Sequence, residues 1–285
     1  MITELDVELP DGRRVRAADT GEAGGPRAVA PLTVVWHHGS PHTGALYEPL
    51  LGAAAARGIR LVSYARPSYG GSTPQPGRSV TSAAADVVAV ADALGIDRFA
   101  VIGTSGGGPH ALACAALVPE RVTGVVTLAS PAPYTDAFDW FDGMRSPGAL
   151  RAARKGRAAR AAFADEEEFD PEVFVPTDWA ALEGRWSAVL ADVQASDAFG
   201  PDGLIDDDVA LASPWGFEVS DVAAPTLLVH GELDRMIPRR HASWLLGRIP
   251  GAKLWARLDD GHVSVLDVVP DALDWLLEAA APARS

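Results

Sequence analysis

The sequence predicts an α/β fold in which a mostly parallel sheet is flanked by helices and interrupted by a helical insertion. Short β-rich runs alternate with helical patterns near both ends of the chain, as is typical of a parallel sheet covered on both faces. Residues 125–128 lack polar alternation, which indicates a strand buried on both faces. The alternation stops near Ala132 and resumes near Val222, which sets the limits of the insertion.

The composition favours a protein that binds a small molecule. A chain of 285 residues that is 48% hydrophobic can bury a sizeable core. A net charge of −14 disfavours nucleic acid and anionic membranes as partners. The single cysteine, Cys114, allows no intrachain disulfide. We see no apolar signal segment and no run of membrane-spanning length, so we expect a cytoplasmic protein.

The β-rich runs define eight strands. Residues 3–8 and 13–18 alternate around the turn Pro10-Asp11-Gly12, which predicts a β-hairpin. The other predicted strands cover residues 32–36, 60–64, 99–102, 122–128, 226–229 and 253–258. Helical patterns cover residues 80–94 and 110–117.

Residues 133–217 are predicted to form a helical cap domain, with 1–132 and 218–285 forming the core domain. The segment holds an Ala/Arg tract at 149–162, many aromatic residues and no strong strand signal. Its acidic cluster at 165–168 is interpreted as a solvated face rather than a metal site.

Ser105 is a candidate nucleophile. Gly103-Thr104-Ser105-Gly106-Gly107 fits the pattern G-x-S-x-G, directly after a predicted strand and before a helix. The nucleophile of such a turn has a strained backbone, and small residues two positions away relieve the crowding. A helix would point its free N–H groups at the serine.

Two nucleotide-binding loops and a plain structural turn are the alternatives. Residues 106–111 also fit the dinucleotide pattern G-x-G-x-x-A, but the strand at 122–128 is not followed by the acid that a Rossmann site needs. No Lys-Ser/Thr pair follows the glycines, which excludes a P-loop. The motif alone does not exclude a purely structural turn, so the hypothesis of a nucleophile depends on partners for Ser105.

His262 and Asp234 are the predicted partners. A serine needs a base, usually a histidine oriented by a carboxylate. His262 follows the last predicted strand, and Asp234 follows the strand at 226–229. Glu232 is the second choice of acid, whereas Asp259 and Asp260 are too close in sequence to reach round the His262 ring easily. The chain order Ser105, Asp234, His262 matches that of α/β-hydrolases.

With these residues the chain resembles the α/β-hydrolase-fold serine hydrolases over nearly its whole length, and the insertion corresponds to the family's cap. Residues 37–41, His-His-Gly-Ser-Pro, resemble the family's HGxP segment. By that likeness, the backbone N–H groups of Ser40 and Gly106 form an oxyanion hole. Residues 66–72 resemble the D-x-P-G-x-G-x-S turn but lack its aspartate. The stretches 136–144 and 206–217 resemble those of little-characterised actinobacterial-type hydrolases.

A pocket for an apolar substrate is predicted between core and cap. Its candidate residues are His42 at the mouth and Trp140, Phe141 and Met144 in the lining. The alternative is that the cap aromatics pack cap helices on the core. His38 is expected to order the oxyanion loop, and His241 to face solvent on a helix. No pair of histidines has metal-ligand spacing with an acid, so neither a metal nor a cofactor is expected.

The resemblance implies a hydrolase that cleaves an ester or lactone of a small apolar substrate through an acyl-enzyme. Haloalkane dehalogenases and epoxide hydrolases of this fold carry aspartate at the elbow, so Ser105 argues against both. A carbon–carbon bond hydrolase and a proline-iminopeptidase-like aminopeptidase are alternatives within the fold. A ligand receptor on the same fold is the alternative outside enzymes. The sequence does not indicate the oligomeric state.

Overall fold

The computed structural model describes residues 2–21 and 32–280, which contain all eight predicted strands. The strands are β1 Thr3–Glu8, β2 Arg14–Asp19, β3 Thr33–His37, β4 Arg60–Tyr64, β5 Phe99–Thr104, β6 Val122–Leu128, β7 Thr226–Gly231 and β8 Lys253–Arg257. The α-helices are α1 Leu50–Arg57, α2 Ser82–Ala93, α3 Gly107–Leu117, α4 Gly148–Ala153, α5 Arg157–Ala164, α6 Pro176–Glu183, α7 Ser187–Ser196, α8 Asp202–Leu211, α9 Arg240–Leu246 and α10 Val269–Ala280.

The strands form one sheet in the order β1-β2-β4-β3-β5-β6-β7-β8. The first two pairings, β1 with β2 and β2 with β4, are antiparallel, and every later pairing is parallel. The register places His37 beside Gly103, and Gly103 beside Thr127. The loops that follow β3, β5, β7 and β8 therefore meet at one edge of the sheet, where ligand sites of open α/β sheets lie.

Two apolar cores cover the two faces of the sheet. Val35 and Val101 belong to one core with residues of α2, α3 and α9. Trp36 and Ile102 belong to the other core with residues of α1 and α10. Successive strand residues point to opposite faces, so burial of both faces removes the polar alternation from the sequence.

Only helices and loops lie between β6 and β7, as the sequence predicts for the insertion. Helix α8 contributes Leu211 to the first core, which Trp215 also joins, and α6 contributes Leu182 to the second, with Trp186 beside it. Several of the insertion's aromatic side chains thus pack on the core. The division into a core domain and a cap at 133–217 stays a prediction.

The prediction that His241 faces solvent is wrong. His241 is fully buried, and its Nδ1 accepts a hydrogen bond from the N–H of Ala132 at 3.2 Å. Its ring packs edge-on against the rings of Phe138 and Trp140, with centroids 5.3 and 5.1 Å away. The chain that leaves β6 covers α9, and this long-range packing has no signature in the helix itself.

Within residues 2–21 and 32–280, none of the helices has both the length and the apolar character needed to cross a bilayer. The same residues contain no group of three or more His, Cys, Asp or Glu side chains arranged to hold a metal ion.

Candidate active site

Ser105 occupies the turn between β5 and α3 with a backbone φ of +49°. A non-glycine residue in this region is strained and persists only where its surroundings hold it. The N–H of Ser105 donates to the carbonyl of Leu128 at 2.8 Å, which helps to hold the turn. The strained backbone expected of a nucleophile elbow is therefore present.

Two glycines let the elements of this turn approach one another. A Cβ on Gly103 would lie 2.4 Å from the carbonyl oxygen of Gly107. A Cβ on Gly107 would lie 2.2 Å from the carbonyl oxygen of His37, at the end of β3. Any side chain at either position would push α3 away from the strands, so the glycines keep Ser105 at the sheet edge.

The His262 ring lies between Ser105 and Asp234. Its Nε2 lies 3.0 Å from the Ser105 Oγ, and its Nδ1 lies 2.8 Å from the Asp234 Oδ2. A carboxylate only accepts hydrogen bonds, so Nδ1 carries the proton and Nε2 presents a lone pair to the serine hydroxyl. These three side chains follow β5, β7 and β8, and the fold brings them into hydrogen-bonding distance.

Asp234 is held as a buried carboxylate. Its Oδ1 accepts the N–H groups of Met236 and Ile237, each at 2.9 Å. Burial opposes ionisation, but His262 and the neighbouring His230 outweigh it and lower the pKa of Asp234. The second choice of acid, Glu232, pairs instead with Arg239 at 2.9 Å, near the surface.

The pKa of His262 lies above its ordinary value. Burial favours the neutral ring, but the charge and hydrogen bond of Asp234 and the charge of Asp178 outweigh it. A base must be neutral to accept the proton of Ser105, so a protonated His262 cannot act as that base.

We therefore expect kcat/KM for an ester to fall with decreasing pH through a midpoint above the ordinary histidine pKa of about 6.5. The midpoint lies above the ordinary value because His262 stays protonated, and so unable to act as a base, to a higher pH than a free histidine does. Initial rates between about pH 4.5 and 9 would measure the midpoint. A midpoint below the ordinary value would contradict the assignment of His262 as the base.

Asp178 fastens the histidine loop to the helical insertion, a role that the sequence did not reveal. It is fully buried near the start of α6. Its carboxylate accepts the N–H groups of His262 at 3.1 Å and of Val263 and Ser264 at 2.8 Å each. Charge-assisted hydrogen bonds of this kind are among the stronger ones in proteins. The position of the His262 ring is thus coupled to α6.

Ser40 and Gly106, the predicted oxyanion-hole residues, are neighbours. A Cβ on Gly106 would lie 2.6 Å from the Oγ of Ser40. A Cβ on Gly39 would lie 3.6 Å from the Cβ of Ser105, which places this loop beside the nucleophile. Use of the two N–H groups as an oxyanion hole stays a prediction.

Arg66 forms hydrogen bonds to residues 38–40, which belong to the predicted oxyanion loop. Its guanidinium donates to the carbonyls of His38 at 2.6 Å and Gly39 at 3.0 Å, and to the Ser40 Oγ at 3.0 Å. The backbone N–H of Arg66 donates to the Nε2 of buried His38 at 3.2 Å, which agrees with an ordering role for that ring. Arg66 also pairs with buried Asp207 of α8 at 2.6 Å. The loop is therefore tied to the insertion.

The candidate pocket residues divide into two groups. His42 lies near Ser105, whereas Trp140, Met144 and Ile237 pack together, with Phe141 against them, behind the Asp234 loop. Trp140 is 2% exposed, and its indole donates to the carbonyl of Ala132 at 2.9 Å. Among the described residues, no hydrogen bond joins these side chains to Ser105. Their role in substrate binding stays a prediction.

Two cavities lie away from the three candidate catalytic side chains. One of about 420 Å³ is lined by Glu4, Arg16 and Phe199 among others. A second of about 240 Å³ is bordered by Trp140 and Phe141 with their neighbours in 134–139. We assign the site from the geometry around Ser105 because cavity volume carries no chemistry of its own.

The profile of the alpha/beta hydrolase fold matches residues 33–268. The chain belongs to the alpha/beta hydrolase fold family. The match runs from β3 to the segment just before α10, and so includes every element that positions the candidate site.

Several proteins of named activity resemble the chain over most of its length. It is 28% identical over 239 residues to a 2-hydroxy-6-oxo-6-phenylhexa-2,4-dienoate hydrolase of Burkholderia cepacia, covering 80% of each chain. It is 23% identical over 250 residues to a putative non-heme chloroperoxidase of Synechocystis sp., covering 85% of each. A thermophilic esterase of Thermogutta terrifontis shares the fold with a TM-score of 0.71 at 18% identity, over 98% of this chain and 100% of the other.

Proposed function

We propose that the protein is a serine hydrolase that cleaves an ester or lactone of a small apolar substrate through an acyl-enzyme. The observation that carries the proposal is the continuous chain from the Ser105 Oγ through His262 to Asp234, with distances of 3.0 and 2.8 Å. It supports nucleophilic catalysis because a serine hydroxyl is a weak nucleophile without an oriented base.

Acylation begins when the Ser105 Oγ attacks the substrate carbonyl carbon and His262 Nε2 takes its proton. The electron pair of the carbonyl π bond moves to oxygen and forms an oxyanion. When the carbonyl reforms, the bond to the leaving oxygen breaks and that oxygen takes the proton from His262. Asp234 keeps the ring in the required tautomer and stabilises the imidazolium.

Deacylation repeats these steps with water. His262 takes a proton from water as the water oxygen adds to the acyl carbon. The new tetrahedral carbon then expels the Ser105 oxygen, which takes the proton back from His262. The N–H groups of Ser40 and Gly106 bind the oxyanion in both halves. In comparable sites one such donor contributes about 3 kcal/mol to transition-state stabilisation.

Carbon–carbon bond hydrolysis is the second candidate. It is favoured by the similarity to a dienoate hydrolase that extends over 80% of both chains. Ser105, His262 and Asp234 suit either reaction, because each begins at a carbonyl carbon. Turnover of simple esters against vinylogous diketo acids distinguishes the two.

The test of the proposal is intact-mass spectrometry after incubation with a fluorophosphonate. The wild type is expected to gain one adduct, and Ser105→Ala none, because only an activated serine attacks phosphorus. Thr104→Ser is a matched control that replaces the secondary hydroxyl beside Ser105 with a primary serine hydroxyl, and it should still give a single adduct. An adduct on Ser105→Ala would overturn the assignment of the nucleophile.

Hydrolysis of p-nitrophenyl butyrate separates an enzyme from a receptor on the same fold. Catalytic turnover that is lost in Ser105→Ala supports the hydrolase. Stoichiometric labelling without turnover of any ester, lactone or carbon–carbon substrate would favour the receptor.

A further inference from the structure

A second histidine–aspartate pair lies at the candidate active site. The Nδ1 of His42 is 2.8 Å from the Oδ2 of Asp192, the same separation as between His262 and Asp234. His42 follows the oxyanion loop, whereas Asp192 comes from α7 of the insertion, 150 residues further along the chain. Both side chains are buried. The mechanism described above does not use this pair.

The Nε2 edge of the His42 ring lies close to the nucleophile. A Cβ on Gly39 would lie 3.4 Å from the His42 Nε2 and 3.6 Å from the Ser105 Cβ. The His42 Nε2 and the Ser105 Cβ both lie near the position of this Cβ, so the two atoms are at most about 7 Å apart. A small group attached to the acyl carbon can therefore reach the His42 nitrogen.

His42 and His262 approach Ser105 from opposite sides. In the sheet, β3 borders β5 on one side, whereas β6, β7 and β8 follow on the other. His42 follows β3, and His262 follows β8. His262 must protonate the leaving oxygen, so the leaving group lies on its side of the reacting carbon. The acyl group then occupies the side of the reacting carbon that is nearer to His42.

Several hydrogen bonds hold the Asp192 carboxylate against the His42 ring. Asp192 also accepts hydrogen bonds from the backbone N–H of Thr43, at 3.2 Å, and from the Thr43 hydroxyl. Burial opposes ionisation of Asp192, but the bonds from His42 and Thr43 outweigh it and lower its pKa. The carboxylate only accepts hydrogen bonds, so it fixes a proton on Nδ1 and leaves Nε2 to bond the substrate. The negative charge of Asp192 disfavours an anion beside the ring, whereas an uncharged hydroxyl can form a hydrogen bond with Nε2.

We propose that His42 Nε2 binds a hydroxyl group on the α or β carbon of the substrate's acyl part, with Asp192 as its positioning residue. The substrate class is then hydroxyacyl esters or lactones. This inference rests on the proposed function, because it places the acyl group at Ser105. It makes the insertion part of substrate recognition through one side chain of α7.

The kinetic test compares the p-nitrophenyl esters of β-hydroxybutyrate and butyrate, which share a leaving group and a carbon skeleton. The wild type is expected to have a roughly tenfold higher kcat/KM for the hydroxyacyl ester, the size of one hydrogen bond to a buried partner. His42→Leu is expected to bring the ratio close to one. His42→Gln keeps an acceptor and should retain part of the preference.

The ratio of the two esters cancels any effect of a substitution on the machinery common to both. Asp197→Asn changes an exposed aspartate just beyond α7 and is the matched surface control, with the wild-type ratio expected. An equal loss for both esters in His42→Leu would show a structural role and overturn the proposal. Preference for the monosuccinate ester, which carries an anion, would also overturn it.

Binding tests the same inference without turnover. Ser105→Ala is titrated with ethyl β-hydroxybutyrate and ethyl butyrate, followed by ligand-observed NMR. A roughly tenfold tighter Kd for the hydroxy ester, lost in the Ser105→Ala/His42→Leu double variant, supports the role of His42. If this preference holds while the wild type hydrolyses neither ester, the proposed function fails, and only the binding of the hydroxyl group by His42 stands. Equal binding of the two esters overturns the inference.

Discussion

Replacing Asp234 with asparagine is expected to lower kcat/KM for an ester by about 10⁴-fold while leaving the fold intact. An asparagine amide can donate to His262 Nδ1, which places the ring proton on Nε2, where it no longer accepts the proton of Ser105. Asp234 also raises the pKa of His262, so the remaining activity should persist to a lower pH. Initial rates of p-nitrophenyl butyrate hydrolysis across pH measure both effects.

Glu232→Gln is the matched control for this substitution. Glu232 lies two residues from Asp234 in the same loop, but it pairs with Arg239 near the surface. Its amide should leave kcat/KM within about threefold of the wild type, since exposed ion pairs contribute little. A similar loss in both variants would mean that the loop, rather than the Asp234 carboxylate, limits the activity.

The strands were predictable because their signals are local. The predicted segments 60–64 and 122–128 coincide with β4 and β6, and β6 is rich in β-branched residues. Strand β5 extends to Thr104, two residues beyond the prediction. The extension includes Gly103, which has a low strand propensity but pairs with the neighbouring strands. Pairing across the sheet, which is not readable locally, set that boundary.

The three candidate catalytic side chains could be named because each follows a predicted strand in the order that the fold requires. The carboxylates that support these side chains could not be named from the sequence. Asp178, Asp192 and Asp207 lie in helices of the insertion and are buried against residues more than 80 positions away. Asp207 is the middle of three consecutive aspartates, and nothing in that run distinguishes it from its neighbours. Its partners, Arg66 and Arg78, identify it only once the chain has folded.

Asp207→Asn is expected to lower the free energy of unfolding by about 3–5 kcal/mol, the cost of removing one partner from a buried ion pair. Asp207 is fully buried and lies 2.6 Å from both Arg66 and Arg78. It also accepts the Tyr69 hydroxyl at 3.0 Å and is bonded by the Ser40 hydroxyl. The contact with Arg78 is an ion pair without hydrogen-bond alignment, so an amide cannot replace it. The variant would leave two buried cations without their carboxylate.

Urea denaturation of Asp207→Asn beside Asp202→Asn measures this cost. Asp202 is on the same helix but is exposed and pairs with Arg157, so its amide should change stability by no more than about 0.5 kcal/mol. Burial opposes the ionisation of Asp207, but the two arginines outweigh it and hold its pKa well below the usual range. Its contribution is therefore present at neutral pH and is lost as pH falls through that lowered pKa. The difference in free energy of unfolding between Asp207→Asn and the wild type should accordingly become smaller in acid. A difference that does not change with pH would show that packing of the Asp207 side chain, rather than its charge, stabilises the fold.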